Sequence, residues 1–338
     1  MGNLNSSRSL DLVTIYVLTY RRFHHLYSNI DSIFKQSYGN IELIVSDDGS
    51  DDFPLKEVRE YIEINRKENI SNVIVLANKE NVGTVKHANK ALRHAHGEVL
   101  IPLACDDEFY SDDVVERIMN RYKEKSFNML VTTRYGVDGG GGFVRYWPHR
   151  EACGIIEEWS RAEMYCAMAE ARFLDFASGS VMTMRTDFFR SVGPFDERYK
   201  YWEDGPFLLK TLRLGYNIDT AYDIISIRYE QTEGVSNSPE LTNSLLTSDT
   251  ELFWQTDRQI AKNDYGYKHR RMMNFLLLRR SHQSWFYHKL LDILYVDLIG
   301  KRFRNKITKI KATPPSERPW GRFLTKRLYG KTDREETG

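Results

Sequence analysis

No uninterrupted apolar run in this sequence approaches 18 residues, the least a membrane-crossing helix requires. The N-terminus also lacks a signal-peptide core, since Asp11 follows directly on Leu10. Cysteine is scarce as well. Cys105, Cys153 and Cys166 are odd in number and lack the close paired spacing of a disulfide framework or a zinc ribbon. These absences together predict a cytoplasmic protein in a reducing compartment. None of the nine histidines falls in H-E-x-x-H or another zinc spacing, and most are expected at the surface. There is no G-x-x-x-x-G-K-[ST] segment, which removes P-loop nucleotide hydrolysis. The glycine run "DGGGG" (138–142) neither follows a parallel strand nor opens a helix, so it predicts a flexible turn rather than a dinucleotide site. "DDGSDD" (47–52) begins like a calcium loop, but its glycine is third rather than sixth and Val58 stands where a bidentate Glu belongs.

What is present is ordinary globular material: 338 residues, 41% hydrophobic and 28% charged, enough for a large core. The formal net charge of +1 conceals a division. Residues 268–327 carry 16 Lys/Arg against 3 Asp/Glu, a local +13, and residues 328–338 sum to −1, which leaves residues 1–267 at −11. An acidic body bears a basic tail.

Two hydrophobic periods alternate through the first 124 residues. "LVTIYVL" (12–18), "IELIVSD" (41–47), "NVIVLAN" (72–78) and "EVLIPLA" (98–104) are β-branched, apolar runs of buried-strand type. Between them Phe23, Leu26, Tyr27, Ile30, Ile33 and Phe34 repeat at helical spacing, as do Val85, Ala88, Leu92 and Ala95, then Val114, Val115, Ile118, Met119 and Tyr122. Strands alternating with helices predict βαβ units and a mainly parallel sheet, an α/β fold. Ligands of such sheets sit outside the carboxyl ends of the strands. That rule singles out "TYRR" (19–22), "DDGSDD", "NKENVG" (78–83) and "CDDEFY" (105–110). Farther on, residues 128–148 predict a β-ribbon around the glycine turn, 158–170 a helix, and "GSVMTMR" a strand. A helix follows from "WEDGPF" to Gly215, then a strand at "DIISIRYE", and helices from about 240.

The strand ends collect acids: Asp47 with Asp48, Asp106 with Asp107, and Glu203 with Asp204. One such pair alone suits a solvated turn or a helix start. Six carboxylates at one sheet rim, with no lysine in the same loops, instead call for a cation or a ligand.

"VTIYVLTYRR", "SIFKQSYGNIELIVSDDGSDD", "NKENVGTVKHANKALRHAHGEVLIPLACDDEFY" and "VGPFDERYKYWEDGPFLLKTLRLGYNI" resemble successive landmarks of the inverting family 2 glycosyltransferases. The resemblance covers about residues 11–240 and implies a GT-A fold: a single Rossmann-like, mainly parallel sheet flanked by helices. It divides the chain into a glycosyltransferase domain at 1–240, with a nucleotide-binding half at 11–125 and an acceptor half at 126–240, and a basic helical extension at 241–338. It also implies a nucleotide-diphosphate sugar donor, a UDP-sugar ahead of a dTDP-sugar, and a Mg²⁺ or Mn²⁺ cofactor. By the same resemblance Asp107 holds the metal, and Asp106 lies by the ribose and the metal. The family's usual D-x-D would begin at 104, where this chain has Ala104. Asp48 is implied to accept a hydrogen bond from the base, with Thr19, Tyr20 and Asp47 framing that pocket. The family's arginine after N-x-G falls at Ala88, which leaves Lys86 or His87 to reach the diphosphate. Asn89 and Gly83 match the pattern with a structural or a binding role. Asp204 corresponds to the family's general base and Glu203 to its support. The family's late histidine is missing, so Glu230, Gln231 or Glu233 stands in, or that ligand is absent. "FASGSVM" (176–182) matches the wall around the donor sugar, or is a packed strand.

The chemistry is consistent with those assignments. A departing nucleoside diphosphate accumulates negative charge, which a divalent ion on a few carboxylates neutralises. Inversion needs one base on the face opposite the leaving group. The expected activity is hexosyl transfer to a saccharide or lipid-linked acceptor in surface polysaccharide assembly, such as O-antigen or capsule. Two rival roles use the same sheet: a sugar-1-phosphate nucleotidylyltransferase, and a nucleotide-sugar-binding scaffold without turnover. The tail at 268–327 interleaves basic residues with "MMNFLLL", "WFYHKLLDILYVDLIG" and "PWGRFL". Such a segment suits an anionic membrane surface on the inner face of the plasma membrane, or an ordinary helical cap. Nucleic acid is not the expected partner, because the −11 body would repel phosphates.

Overall fold

The computed structural model describes residues 12–170, 178–230, 239–264, 267–281 and 284–312. Its strands are β1 (Val13–Thr19), β2 (Ile41–Asp47), β3 (Ile70–Ala77), β4 (Val99–Ala104), β5 (Asp107–Phe109), β6 (Met129–Val137), β7 (Phe143–Trp147), β8 (Met182–Arg185) and β9 (Ile218–Glu230). Its helices are α1 (Leu26–Phe34), α2 (Leu55–Asn65), α3 (Thr84–Leu92), α4 (Val114–Glu124), α5 (Arg150–Glu157), α6 (Arg161–Ala169) and α7 (Thr186–Val192). They continue as α8 (Asp204–Arg213), α9 (Pro239–Gln255), α10 (Asp257–Asp264), α11 (Tyr267–Ser281), α12 (Trp285–Leu294) and α13 (Ile299–Ala312).

One sheet takes the strand order β3-β2-β1-β4-β8-β6-β9-β5, with β7 paired to β6. The strands β3, β2, β1 and β4 run parallel, each apolar run falling where a two-sided core strand is needed. β1 is buried along almost its whole length, whereas edge strand β3 is buried only at Ile70 and Val75 and otherwise partly or fully exposed. From β1 the chain winds outward to β2 and β3, then returns to place β4 on β1's other side. The crevice between the carboxyl ends of β1 and β4 is therefore a topological switch point. β8 and the β5–β9 pair add antiparallel strands, and β6 with β9 adds a second parallel pair.

The β-ribbon expected at 128–148 forms as β6 and β7. Asp138 closes its turn, accepting from the Gly140 and Gly142 amides at 3.0 and 2.8 Å. Gly49 ends the β2 turn at φ +77°, and a Cβ there would lie 2.4 Å from the Glu80 backbone, so only glycine allows the 48–52 and 78–83 loops to meet. The periodicity did not mark α2, α5 or the three-residue β5.

By its contacts the chain forms two compact units, Met1–Tyr146 with Ala177–Ile260, and Trp147–Phe176 with Ala261–Gly338. The domain boundary expected at 240 thus falls inside the first unit. The reason is visible at Asp249 on α9, whose carboxylate accepts from the backbone amides of Lys200, Tyr201 and Trp202. In the second unit α11 and α12 bury Met272, Phe275 and Leu291 with Leu298, and Arg271–Asp297 and Arg302–Asp292 pair at 2.7 and 2.9 Å. Among the described residues no helix is long and apolar enough to cross a membrane.

Candidate active site

The turn after β1 and the turn after β2 are tied together. The Asp48 amide donates to the Thr19 carbonyl at 2.9 Å, and the Arg21 amide to Ser50 Oγ at 2.8 Å. Arg21 takes a left-handed φ of 59°, a conformation that non-glycine residues hold only when their surroundings impose it. Its guanidinium lies 5.0 Å from the ring of the exposed Tyr20. Thr19 is buried beside Cys105. Asp47 closes its own turn, accepting from the Ser50 amide at 2.7 Å and the Ser50 hydroxyl at 2.8 Å.

Asp48 is buried, and its oxygens accept four bonds: from Asn78 and Asn81 side chains at 2.8 and 2.9 Å, and from Val82 and Gly83 amides at 3.1 and 2.9 Å. A carboxylate offers about four acceptor positions. Asp48 therefore fastens the "NKENVG" loop to the end of β2. The His87 side chain points into the core, its Nε2 lies 2.8 Å from Ser46 Oγ, and burial holds its pKa below the ordinary imidazole value. Lys86 is exposed on the first turn of α3. Asn89 is structural, donating to the Phe195 carbonyl at 2.9 Å and accepting from the Phe195 amide at 3.0 Å.

The second acid pair sits where β4 turns into β5. Asn29 on α1 fastens that turn, its side-chain amide donating to the Ala104 and Asp107 carbonyls at 2.8 and 2.7 Å. Asp106 is half-buried and Asp107 is buried. Burial first, then the Asp106 charge, pushes the Asp107 carboxyl well above the usual carboxylate range, while Arg134 pulls it down. Burial likewise pushes the neighbouring Cys105 thiol up to about 12. Asp107 faces Tyr229 across the β5–β9 ladder, which brings Glu230 next in line. Gln231 and Glu233 lie outside the described residues, as do residues 176 and 177 of the expected donor-sugar wall and residues 313–327 of the tail.

The third pair opens α8. Asp204 accepts from the Gly179 and Gly205 amides, both at 2.7 Å. Glu203 is raised to about 8, first by burial and then by the charges of Asp204 and Asp249. Arg134 on β6 links the second and third pairs. This largely buried guanidinium feels both Asp107 and Asp204, its Nη1 lies 3.4 Å from Ser180 Oγ, and it covers the Tyr229 ring at 4.6 Å. Spacing alone did not mark Arg134, Asn29 or Asp249, because each acts on residues far from it in sequence. Arg134 thereby spans from Tyr229, opposite Asp107 in the β5–β9 ladder, to Ser180, beside the Gly179 that donates to Asp204.

The acid pair suits a hard divalent ion. Asp106 and Asp107 are adjacent in sequence at the β4–β5 turn and offer carboxylate oxygens, the ligand type Mg²⁺ or Mn²⁺ takes.

Comparison with known proteins identifies the family. The family model described as Glycosyl transferase family 2 matches residues 14–193. An uncharacterized glycosyltransferase of Haemophilus influenzae is 26% identical over 237 residues, 67% of this chain and 68% of the relative. Chondroitin synthase of Pasteurella multocida is 26% identical over 171 residues, 49% of this chain but 16% of that protein. The UDP-Glc:alpha-D-GlcNAc-diphosphoundecaprenol beta-1,3-glucosyltransferase WfgD of Escherichia coli is 33% identical over 96 residues, 28% of this chain and 35% of the relative. The chain spans 59% and 49% of the length of two other relatives, from Rickettsia typhi and Streptococcus pneumoniae. Among solved structures, S. aureus TarS 1-349 in complex with UDP-GlcNAc aligns at a TM-score of 0.57 and 18% identity, covering 89% of this chain and 81% of TarS 1-349. The chain belongs to glycosyl transferase family 2, and is a glycosyltransferase with a GT-A fold.

Proposed function

We propose that this enzyme transfers a hexosyl group, with inversion, from a UDP-sugar to a saccharide or lipid-linked acceptor in surface polysaccharide assembly. The observation that supports it is the position of Arg134, whose guanidinium covers Tyr229, the ladder partner of Asp107, and reaches Ser180, next to the Gly179 that donates to Asp204. Thr19, Tyr20 and Asp47 frame the base and ribose at the switch point, and Tyr20 offers an exposed ring for stacking. Lys86 is the side chain left to approach the diphosphate from α3. Asp106 and Asp107 would hold Mg²⁺ or Mn²⁺, with Glu230 beside them. A bound ion of this kind supplies Lewis-acid neutralisation of the leaving diphosphate.

Asp204 takes the proton of the acceptor hydroxyl as its oxygen bonds to the anomeric carbon. The bond from that carbon to the diphosphate oxygen breaks on the opposite face, so configuration inverts and UDP departs with the bonding pair. Gly179 and Gly205 amides aim the Asp204 carboxylate. Glu203, protonated through neutral pH, is a donor available to the acceptor.

A lipid-linked acceptor fits the exposed face of α12 and α13, where Trp285, Phe286, Ile293 and Phe303 are 72%, 74%, 71% and 64% exposed among basic residues. We assign that face to the anionic inner leaflet. The names of WfgD and of the TarS complex, with UDP-Glc and UDP-GlcNAc, support a uridine donor.

The test is a donor panel read by thermal shift and by transfer, with and without Mn²⁺, on wild type and Asp204→Asn. Metal-stimulated transfer that Asp204→Asn lowers about 10²-fold or more supports the assignment. Binding with no turnover would leave the scaffold, and release of pyrophosphate from a nucleoside triphosphate with a sugar phosphate would leave the nucleotidylyltransferase. Flotation with anionic vesicles tests the membrane face: wild type binds, and a Trp285→Ser, Phe286→Ser, Ile293→Ser variant stays in solution. Equal flotation of the two would remove that assignment.

A further inference from the structure

The second unit contains a cluster that the transfer reaction does not use. Cys166 and Glu170 stand four residues apart, one near the end of α6 and the other just beyond it, so both side chains point along one helix face. His269 on α11 comes to the same place from 99 residues away. One ligand atom from each of the three lies within 4.8 Å of the others. Glu170 and His269 are buried, and Cys166 is partly so.

The imidazole is aimed from both sides. Its Nε2 lies 3.1 Å from the Ala261 carbonyl, an atom that only accepts, so Nε2 carries a hydrogen. That bond turns Nδ1 toward Glu170 Oε1, 3.0 Å away. Two facing lone pairs need something positive between them, a proton or a metal ion. A ring nitrogen bonded to a backbone carbonyl while the other faces anionic groups is how metal-ligating histidines are ordinarily held. The Cys166 thiol reaches the same imidazole, which sets a third ligand atom beside the pair.

We propose that Cys166, Glu170 and His269 form a binding site for a borderline-soft transition-metal dication, Zn²⁺ by the chemistry of its ligands. Thiolate, carboxylate and neutral imidazole bring a charge of −2 that the ion cancels, which relieves the cost of burying two anions. A tetrahedral Zn²⁺ with bonds of about 2.0–2.3 Å sets ligand atoms roughly 3.3–3.7 Å apart, so side-chain shifts of about 1 Å close the cluster on it. Three protein ligands leave one position for water. Bound there, the ion clamps α6 to α11. Mn²⁺ and Mg²⁺, which prefer oxygen, do not compete for this site.

The test uses the full chain, stripped with a chelator and titrated with Co²⁺ or Zn²⁺ without any sugar donor, so its outcome is independent of transferase activity. The expected results are a thiolate-to-Co²⁺ charge-transfer band that Zn²⁺ removes, its loss in Cys166→Ser, and its survival in Cys153→Ser. Affinity falls at least about tenfold in His269→Ala. In the wild-type chain, Zn²⁺ slows alkylation of Cys166 at least about tenfold while Cys153 reacts at an unchanged rate, and Mn²⁺ protects neither. Absence of the band in wild type together with equal Cys166 alkylation with and without Zn²⁺ would overturn the site, and leave a proton between Glu170 and His269.

Discussion

The backbone amide of Gly179 donates to Asp204 Oδ2 at 2.7 Å, and the same glycine leaves no room for a Cβ beside Glu203. A methyl at position 179 would lie 2.5 Å from Glu203 Oε1. Only the end of a side chain must move, so Gly179→Ala is expected to change stability by less than about 1 kcal/mol. The displaced carboxylate is nevertheless at the acid pair. Transfer should fall at least about tenfold at an unchanged thermal midpoint, measured in parallel.

Glu203 gives a pH signature. Its carboxyl is raised from 4.5 to about 8 by burial and by Asp204, so the folded chain holds a proton there that the unfolded chain releases. This contribution to stability is full below about 4.5 and is lost as pH rises to about 8. Thermal midpoints should therefore decline between pH 5 and pH 8.5 in wild type and decline less in Glu203→Gln, with a difference of about 1–3 kcal/mol. Parallel slopes in the two proteins would show that Glu203 does not titrate there.

Asp249 holds the approach to the acid pair. One carboxylate accepts from the amides of Lys200, Tyr201 and Trp202. Asp249→Ala leaves three amides without that acceptor, and is expected to cost about 2–4 kcal/mol in denaturant unfolding. It should also lower kcat with donor affinity retained, because the loop it caps aims Glu203 and Asp204. Asp249→Asn, which keeps one oxygen, should recover part of both.

The proposed metal site at Asp107 and the proposed base Asp204 are separable by experiment. Chelation should abolish transfer and Mn²⁺ or Mg²⁺ restore it, and Asp107→Asn should weaken Mn²⁺-dependent donor binding at least about tenfold, measured by calorimetry. Asp204→Asn should keep that binding. Equal metal dependence in Asp107→Asn and wild type would remove Asp107 from the metal site.

Far from the site, Glu42 measures the core of the sheet. It is fully buried and accepts from Thr14, Asn72, and the amide and ring of His96 at 2.7–2.8 Å. Burial alone would raise its pKa, yet these bonds outweigh it and hold the carboxyl below its ordinary value. Its contribution is present above 4.5 and lost as pH falls below that, so acid unfolding should lose part of its steepness in Glu42→Gln. That variant should cost about 1–3 kcal/mol at neutral pH.

Much of this was legible along the chain. The β1, β2, β3 and β4 runs, the ribbon at 128–148 and the helix opening at Asp204 follow from apolar runs, helical periodicity and turn residues, which act over a few positions. The acid pairs were visible because each is a pair of neighbours in sequence. Spacing could not say that Asp48 spends its oxygens on a loop or that His87 points into the core, since both depend on which way a side chain is buried.

By itself the sequence determined an alternating α/β chain with carboxylates at the strand ends and a basic, aromatic tail, because those properties reside in local pattern and charge. Only the tertiary structure decided that Arg134 reaches both Tyr229 and Ser180, that Asp249 caps the 200–202 amides, and that Cys166, Glu170 and His269 meet. Each of these contacts links positions tens of residues apart, and close packing of a sheet against helices sets them rather than any signal in the neighbouring residues.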